Sequence, residues 1–292
     1  MSGNTVTHDN LGDSQWRRFW NRGGWWKSLL IVAVYLGVFQ LVSLGITTAF
    51  AGLIDLSDLF GSPNTVFFAL ALPILVMGLL TYAFVASLGW QKEIFGRQPI
   101  AGRPWMWVAV VLVLVPIVVR LFATSWSSYS ITVILAVLLL GLCVGFAEEL
   151  ITRGVAVNLL RRAGYTERIV MVLSSLLFGL LHSANLLSGQ AVVTVAFTVV
   201  YAFGFGAMMY LSMRVTGSIV WAMLLHAATD PTTFLATGGI DAHGSTSGDA
   251  GLILVAGLFN YVYIVAALIV IFLVKGKVYE DRSPRKRAVT AA

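Results

Sequence analysis

Six ionisable side chains lie in stretches of sequence that are otherwise apolar enough to cross a membrane. They are Glu148, Glu149, Arg153, His182, His226 and Asp230. An ionisable group in the hydrocarbon of a bilayer costs roughly 2.5–3.5 kcal/mol on insertion scales, and it usually faces a partner or a water-filled cavity. These residues are therefore the first candidates for a functional site.

Three of these groups are predicted to share one depth in the membrane. Glu148, His182 and His226 lie 13, 14 and 12 residues from the basic residues that mark the same end of their helices. At a rise of 1.5 Å per residue, all three are about 18–21 Å from one membrane boundary. Because the three helices begin independently, this agreement predicts a single polar layer inside the bilayer.

Local spacing pairs several polar residues on common helix faces. The pairs are Glu149 with Arg153, His182 with Asn185, and His226 with Asp230. The first can form an ion pair, and the other two place a neighbour where it could orient each imidazole. Glu148 is turned about 100° away from Glu149 and has no obvious cation nearby. Gly141 and Gly145 form a small-xxx-small pair that would let another helix approach closely.

The chemistry that this set could perform is hydrolysis of a carbonyl compound. A poorly solvated carboxylate such as Glu148 can act as a general base on water. Two imidazoles can donate hydrogen bonds to an oxyanion, or they can bind a metal ion. No Ser or Cys lies in a recognisable nucleophile motif at this depth, which favours direct attack by water. The residues do not specify the substrate.

The elements that must position these residues are transmembrane helices. Apolar residues make up 58% of the 292 positions and charged residues only 11%, whereas soluble domains carry about 25% charge. Cys143 is the single cysteine, which excludes an intramolecular disulfide. The sequence predicts an all-α, polytopic membrane protein with about eight spans. The apolar runs are 28–54, 64–89, 105–123, 131–162, 167–185, 190–212, 217–238 and 251–274.

The basic residues predict the orientation of the chain. With a cytoplasmic N-terminus, 17 of the 19 Lys and Arg residues fall on the inner side, and Arg120 lies near an outer end. The outer loops carry Asp55, Asp58, Asp241 and Asp249. This positive-inside pattern predicts that both termini are cytoplasmic. The predicted parts are an N-terminal segment (1–27), a transmembrane domain (28–275) and a basic tail (276–292).

The basic excess is interpreted as topogenic and lipid-facing charge. No aromatic-interleaved motif accompanies it, so a nucleic-acid partner is not expected. A basic tail that contains SPRKR at 283–287 could contact anionic lipid headgroups. The absence of a cleavable signal and the short loops favour the plasma (inner) membrane of a prokaryote.

Three segments resemble the motifs of one protease family. EELITR (148–153), FGLLHSAN (178–185) and HAATD (226–230) are similar to the Glu-Glu-x-x-x-Arg, Phe-x-x-x-His and His-x-x-x-Asn/Asp motifs of the CPBP (Abi) intramembrane proteases. This family includes the CAAX prenyl endopeptidases and proteins linked to bacteriocin processing or immunity. The resemblance covers roughly residues 130–238.

The resemblance implies peptide-bond hydrolysis within the membrane, on a membrane-associated peptide that could be of the prenylated CAAX type. By motif position, Glu148 is the general base and Glu149 and Arg153 support it. His182, in the motif that begins at Phe178, holds the water with Asn185 nearby, and His226 and Asp230 face the oxyanion. Other members have Asn where this chain has Asp230. An ionised Asp would repel an oxyanion, so Asp230 must be protonated or must orient His226.

Several alternatives remain open from the sequence. The family mechanism could use zinc held by His182, His226 and Glu148, or it could be a metal-free glutamate mechanism. The absence of a His-Glu-x-x-His helix favours the metal-free mechanism. Two other functions also fit intramembrane carboxylates and imidazoles: a proton-coupled transporter, and a non-catalytic immunity or binding protein.

Overall fold

The computed structural model describes residues 14–239 and 248–279, and this part of the chain contains helices and no strand. Four short 3₁₀ segments lie at helix ends: Ala51–Leu53, Pro104–Met106, Trp126–Ser128 and His182–Leu186. The helices, in chain order, are α1 (Gln15–Asn21), α2 (Trp25–Ala49), α3 (Pro63–Leu88), α4 (Gln91–Phe95), α5 (Trp107–Ala123), α6 (Ile131–Arg162), α7 (Glu167–Leu181), α8 (Val192–Thr216), α9 (Ile219–Thr237) and α10 (Ala250–Leu273).

The eight long helices match the eight predicted apolar runs to within a few residues, which confirms the all-α membrane class. Seven of them are long and apolar enough to cross a membrane. The exception among these eight is α9, which has 19 residues. It carries His226, Asp230 and four threonines. These polar residues make α9 less apolar than the other long helices, and His226 and Asp230 face the inside of the bundle rather than lipid. The chain is thus a multi-pass membrane protein.

Two of the long helices contain a π-helical stretch. In α3 it covers Val66–Ala71, and in α6 it covers Leu150–Ala156. Such wide turns are frequent at functional sites because they change the direction in which side chains leave a helix. The stretch in α6 begins directly after Glu149 and contains Arg153, so it lies within the polar layer predicted from the sequence.

The bundle has one end that carries most of the basic side chains, here called the basic end, which includes Arg17, Lys92, Arg103, Arg168 and Lys277. Both described chain ends meet there at α4. The indole of Trp90 donates to the side-chain oxygen of Asn21 (2.9 Å), and the hydroxyl of Tyr279 donates to Glu93 (3.0 Å). The opposite end, here called the open end, is where α2, α5 and α9 finish.

The membrane side that the basic end faces remains a prediction, as do the boundaries of the two tails and the prokaryotic plasma-membrane location. The predicted segments 1–27 and 276–292 fall partly outside the described residues. Asp241 and the SPRKR sequence at 283–287 lie entirely outside them.

The basic end is closed by a buried network around Glu167. Its carboxylate accepts hydrogen bonds from Arg161 (2.9 and 2.7 Å), from Arg214 (2.8 Å) and from the hydroxyl of Tyr210. Arg161 also donates to Gln98 (2.8 Å), and Glu167 itself is fully buried. The sequence interpretation of Arg161 and Arg214 as lipid-facing charges was therefore wrong, because Glu167 draws both guanidinium groups into the protein.

Replacing Glu167 by Ala is expected to destabilise the protein strongly. The change would leave two buried guanidinium groups without a carboxylate, and breaking a buried ion pair in this way costs about 3–5 kcal/mol. Thermal unfolding in detergent, followed by tryptophan fluorescence, would measure the loss. Asp58→Asn, at an exposed loop position, is the control and should unfold like the wild type. Equal stability of Glu167→Ala and wild type would contradict this assignment.

Candidate active site

The polar layer is assembled where α6 and α9 approach each other at two glycines. A β-carbon at Gly141 would lie 2.3 Å from the Pro231 side chain, and one at Gly145 would lie 2.4 Å from the carbonyl oxygen of Met223. No larger residue fits at either place without a shift of backbone. The close approach predicted from the small-xxx-small spacing is therefore present, and it brings the Glu148–Glu149 turn beside His226.

Glu149 is the buried centre of the contacts between the two helices. Its Oε1 lies 3.3 Å from Nη1 of Arg153 and 3.0 Å from Nδ1 of His226. Arg153 also donates to the hydroxyl of Thr152 (2.6 Å) and to the carbonyl of Gly206 (2.7 Å). The pair predicted between Glu149 and Arg153 is thus formed. The contact with His226 was not predicted from the sequence.

His226 lies between two carboxyl groups. Its Nδ1 faces Glu149, and its Nε2 lies 3.5 Å from Oδ2 of Asp230. A neutral imidazole has only one N–H, whereas an ionised carboxylate can only accept a hydrogen bond. Two such contacts therefore require either a protonated ring or a protonated carboxyl. Asp230 thus lies beside His226, and orientation of His226, one of the two functions that the sequence left open for it, stays a prediction.

Phe178 connects both histidines with Arg153. Its ring centroid lies 5.3 Å from that of His182 and 5.5 Å from that of His226, edge to face in both cases. The guanidinium carbon of Arg153 lies 4.4 Å from the same centroid, in cation–π range. Phe178 is almost completely buried, so it fixes the relative positions of these three groups.

His182 begins the 3₁₀ segment that follows α7. Its Nδ1 lies 3.2 Å from the carbonyl oxygen of Phe178, four residues earlier. This main-chain contact orients the ring, and the predicted pairing of Asn185 with His182 stays a prediction. When Nδ1 carries the proton that is donated to Phe178, Nε2 of the neutral ring is free to accept a hydrogen bond.

Glu148 differs from its neighbour Glu149 in lining a cavity, although each of the two carboxylates has a buried Oε2 without a hydrogen-bond partner among the described residues. Glu148 lines a cavity of about 1020 Å³ together with Phe178, His182, His226 and Asp230. Asn185 also lines this cavity. The structure therefore brings Glu148 and both imidazoles to one volume, as the common depth predicted.

The cavity runs from the middle of the bundle to the open end, where Leu56, Ser188 and Thr237 line it. Helices α2 and α10 form part of its wall. Only 11% of the apolar stretch of α2 and 22% of that of α10 is buried, compared with 50% for α6. These two helices thus lie at the edge of the bundle, between the cavity and lipid.

Three residues of the site were not identified from the sequence. Phe205 packs edge to face on His226 at 5.2 Å, Gly206 accepts from Arg153, and Thr152 bridges Arg153 and the carbonyl of Glu148. A β-carbon at Gly206 would lie 2.8 Å from Nη2 of Arg153. The small residues of α8 were the available signal, although nothing in the sequence assigns them to Arg153.

The described residues do not fit a zinc centre. A catalytic zinc ion needs three protein ligands and an open position, but no three His, Cys, Asp or Glu side chains in 14–239 and 248–279 are grouped to hold a metal. Both ring nitrogens of His226, one of the three predicted ligands, face carboxylates. No catalytic step is therefore derived through a metal.

The comparison with protein families identifies the segment that carries the site. Residues 130–232 match the family model described as type II CAAX prenyl endopeptidase Rce1-like. No curated protein matches the chain. The matched segment is about a third of the chain, and it contains all the site residues from Glu148 to Asp230. The match over residues 130–232 supports the similarity to the CAAX protease (CPBP) family that the three motifs predicted.

Proposed function

We propose that this protein is an intramembrane endopeptidase in which Glu148 activates water. The observation that carries the proposal is the unpartnered oxygen of Glu148, buried in the cavity that both histidines line. An acceptor in such a place is satisfied once a water molecule enters. Glu149 also has an unpartnered Oε2, but it is not among the residues that line the cavity, and its Oε1 is held by Arg153 and His226.

The proposed reaction uses one proton transfer in each direction. Glu148 removes a proton from water while the oxygen of that water bonds to the carbonyl carbon of the peptide. The carbonyl oxygen becomes an oxyanion. Glu148 then passes the proton to the nitrogen of the scissile bond, and the C–N bond breaks. General-base catalysis of this kind contributes about 10²- to 10⁴-fold to a rate.

The two histidines would divide the remaining tasks. His182, with Nδ1 on the Phe178 carbonyl, has Nε2 available to accept a hydrogen bond from the attacking water. His226 and Asp230 share at least one proton between them and stand on the cavity wall. Their N–H or O–H could stabilise the oxyanion, because a buried donor aimed at developing charge is effective in a site that excludes bulk water.

The surroundings suit a peptide that is attached to the membrane. A cavity of about 1020 Å³ can hold several residues of extended chain, since ligand sites commonly measure about 300–1,000 Å³. The loosely buried helices α2 and α10 border it on the lipid side. We infer that a lipid-anchored peptide enters between them, so that its anchor stays in the bilayer while the chain reaches Glu148.

Purified protein in lipid nanodiscs is expected to cleave peptides and to keep its rate in a strong zinc chelator. Farnesylated and unmodified versions of the same peptides, analysed by mass spectrometry, would show whether the anchor raises the rate. Loss of cleavage with the chelator and recovery with added zinc would replace the glutamate mechanism by a metal mechanism. No cleavage, together with flux driven by a pH gradient in proteoliposomes, would instead support a transporter.

A further inference from the structure

Arg120 is a buried cation that the proposed reaction does not use. It lies in the last turn of α5, is 7% exposed, and lines the cavity that contains Glu148. Its Nη1 is buried without a hydrogen-bond partner. The buried arginines Arg153, Arg161, Arg162 and Arg214 each pair with a glutamate, whereas none of the ion pairs among the described residues includes Arg120.

An unpaired guanidinium in such a place is a site for an anion. Arginine keeps its charge in proteins, and burying that charge without a partner is unfavourable. The ionisable groups within electrostatic range of it are Tyr263, Tyr201 and Asp230. Asp230 is the only carboxyl group among these three. It contacts His226 and makes no ion pair with Arg120, so the cation is left for a ligand that enters the cavity.

We infer that Arg120 binds a carboxylate of the peptide substrate, an assignment that rests on the proposed peptidase function. The flat guanidinium can donate two parallel hydrogen bonds to a carboxylate, which gives both affinity and orientation. A carboxylate held at Arg120 would set which peptide bond lies at Glu148.

Helix geometry gives the spacing between this anchor and the reacting bond. Arg120 lies 3 residues before the end of α5, and His226 lies 11 residues before the end of α9. Both helices finish at the open end; with these two ends taken as level, the two side chains differ in depth by about 12 Å at 1.5 Å per residue. An extended peptide covers about 3.3–3.6 Å per residue. The bound carboxylate is therefore about three or four residues from the bond that is cut.

Two chemical sources of this carboxylate are possible, the C-terminus of the peptide and an Asp or Glu side chain. The probe for both is a fluorescein-labelled hexapeptide of Ala and Leu in three forms: a free acid, a C-terminal amide, and an amide with one Glu. Binding is measured to wild-type protein, Arg120→Gln and Arg120→Lys in nanodiscs of zwitterionic lipid. Ser43→Ala, an uncharged change in the same cavity wall, is the control.

The free acid is expected to bind wild-type protein about 10-fold more tightly than the amide, a difference of one charge-assisted contact. Arg120→Gln should remove this preference, Arg120→Lys should keep part of it, and Ser43→Ala should leave it unchanged. If the amide that contains Glu binds as tightly as the free acid, Arg120 binds an acidic side chain. If it binds as weakly as the plain amide, Arg120 binds the C-terminal carboxylate. Equal binding of acid and amide to wild type, or an equal loss in Ser43→Ala, overturns the proposal.

Two further measurements distinguish a peptide carboxylate at Arg120 from a lipid headgroup or an oxyanion there. If anionic phosphatidylglycerol abolishes the preference for the acid, Arg120 binds lipid headgroups and the proposal fails. For a peptide that is cleaved, Arg120→Gln should raise KM about 10-fold with kcat nearly unchanged. A fall in kcat at unchanged KM would make Arg120 an oxyanion donor instead. Carboxylate preference without any cleavage would leave the site standing and refute the peptidase.

Discussion

Glu148→Gln is expected to slow peptide cleavage by about 10²- to 10⁴-fold, the usual contribution of a general base, without lowering thermal stability. The amide is close in size to the carboxylate but cannot take a proton from water. Stability should be retained, because Oε2 of Glu148 has no hydrogen-bond partner among the described residues. Cleavage is measured in nanodiscs and unfolding by tryptophan fluorescence, on the same preparation.

The adjacent change Glu149→Gln is the matched comparison, and it should have the opposite profile. Glu149 is fully buried and contacts both Arg153 and His226. Its neutralisation leaves the buried guanidinium of Arg153 uncompensated, which costs about 3–5 kcal/mol. The double change Glu149→Gln with Arg153→Met should recover much of this stability, since replacing a whole buried pair by uncharged groups is often tolerated.

The results for these two variants distinguish the competing functions. Full cleavage by Glu148→Gln would end the proposed mechanism. If the variant lost cleavage but fully preserved a biological phenotype, an immunity or binding function would be favoured instead. If Glu148→Gln lowered stability as much as Glu149→Gln, Glu148 would be a structural residue like its neighbour.

The polar layer was predictable because its components are local. The depth of Glu148, His182 and His226 follows from counting residues along separate helices, and the Glu149–Arg153 pair follows from a spacing of four. Contacts between helices were harder to predict. Nothing in the sequence indicates that the carboxylate that pairs with Arg153 also contacts His226, because this depends on how α6 and α9 rotate where they meet at Gly141 and Gly145.

The basic residues illustrate a second limit of the sequence. Counting Lys and Arg predicts which end of the bundle is basic, but it treats every cation as equivalent. Arg161 and Arg214 are buried on Glu167, and Arg120 faces the cavity. The two environments differ in whether a carboxylate from another helix is within reach, which only the packing of the helices decides. α9, predicted as the run 217–238, is less apolar than the other long helices because its polar residues face the site.

The proposed cavity is expected to open on the side of the membrane opposite to the cytoplasm. Its lining runs from the middle of the bundle to the open end, and the Glu167 network fills the basic end. Basic loops stay in the cytoplasm, so the open end should face outwards. Starting from Cys143→Ala, Ser188→Cys places a thiol at the cavity mouth, and Lys92→Cys places one at the basic end; both native residues are exposed.

In intact bacterial cells, a membrane-impermeant maleimide should label the Ser188→Cys protein and should label the Lys92→Cys protein only after lysis. The result also bears on the substrate. Prenylated CaaX chains often carry polybasic residues, which bind the anionic lipids of the cytoplasmic leaflet. Labelling of Ser188→Cys from outside would therefore favour a peptide that reaches the site from the outer face. Labelling of Ser188→Cys only after lysis would reverse the predicted orientation and favour a cytoplasmic, CaaX-type substrate.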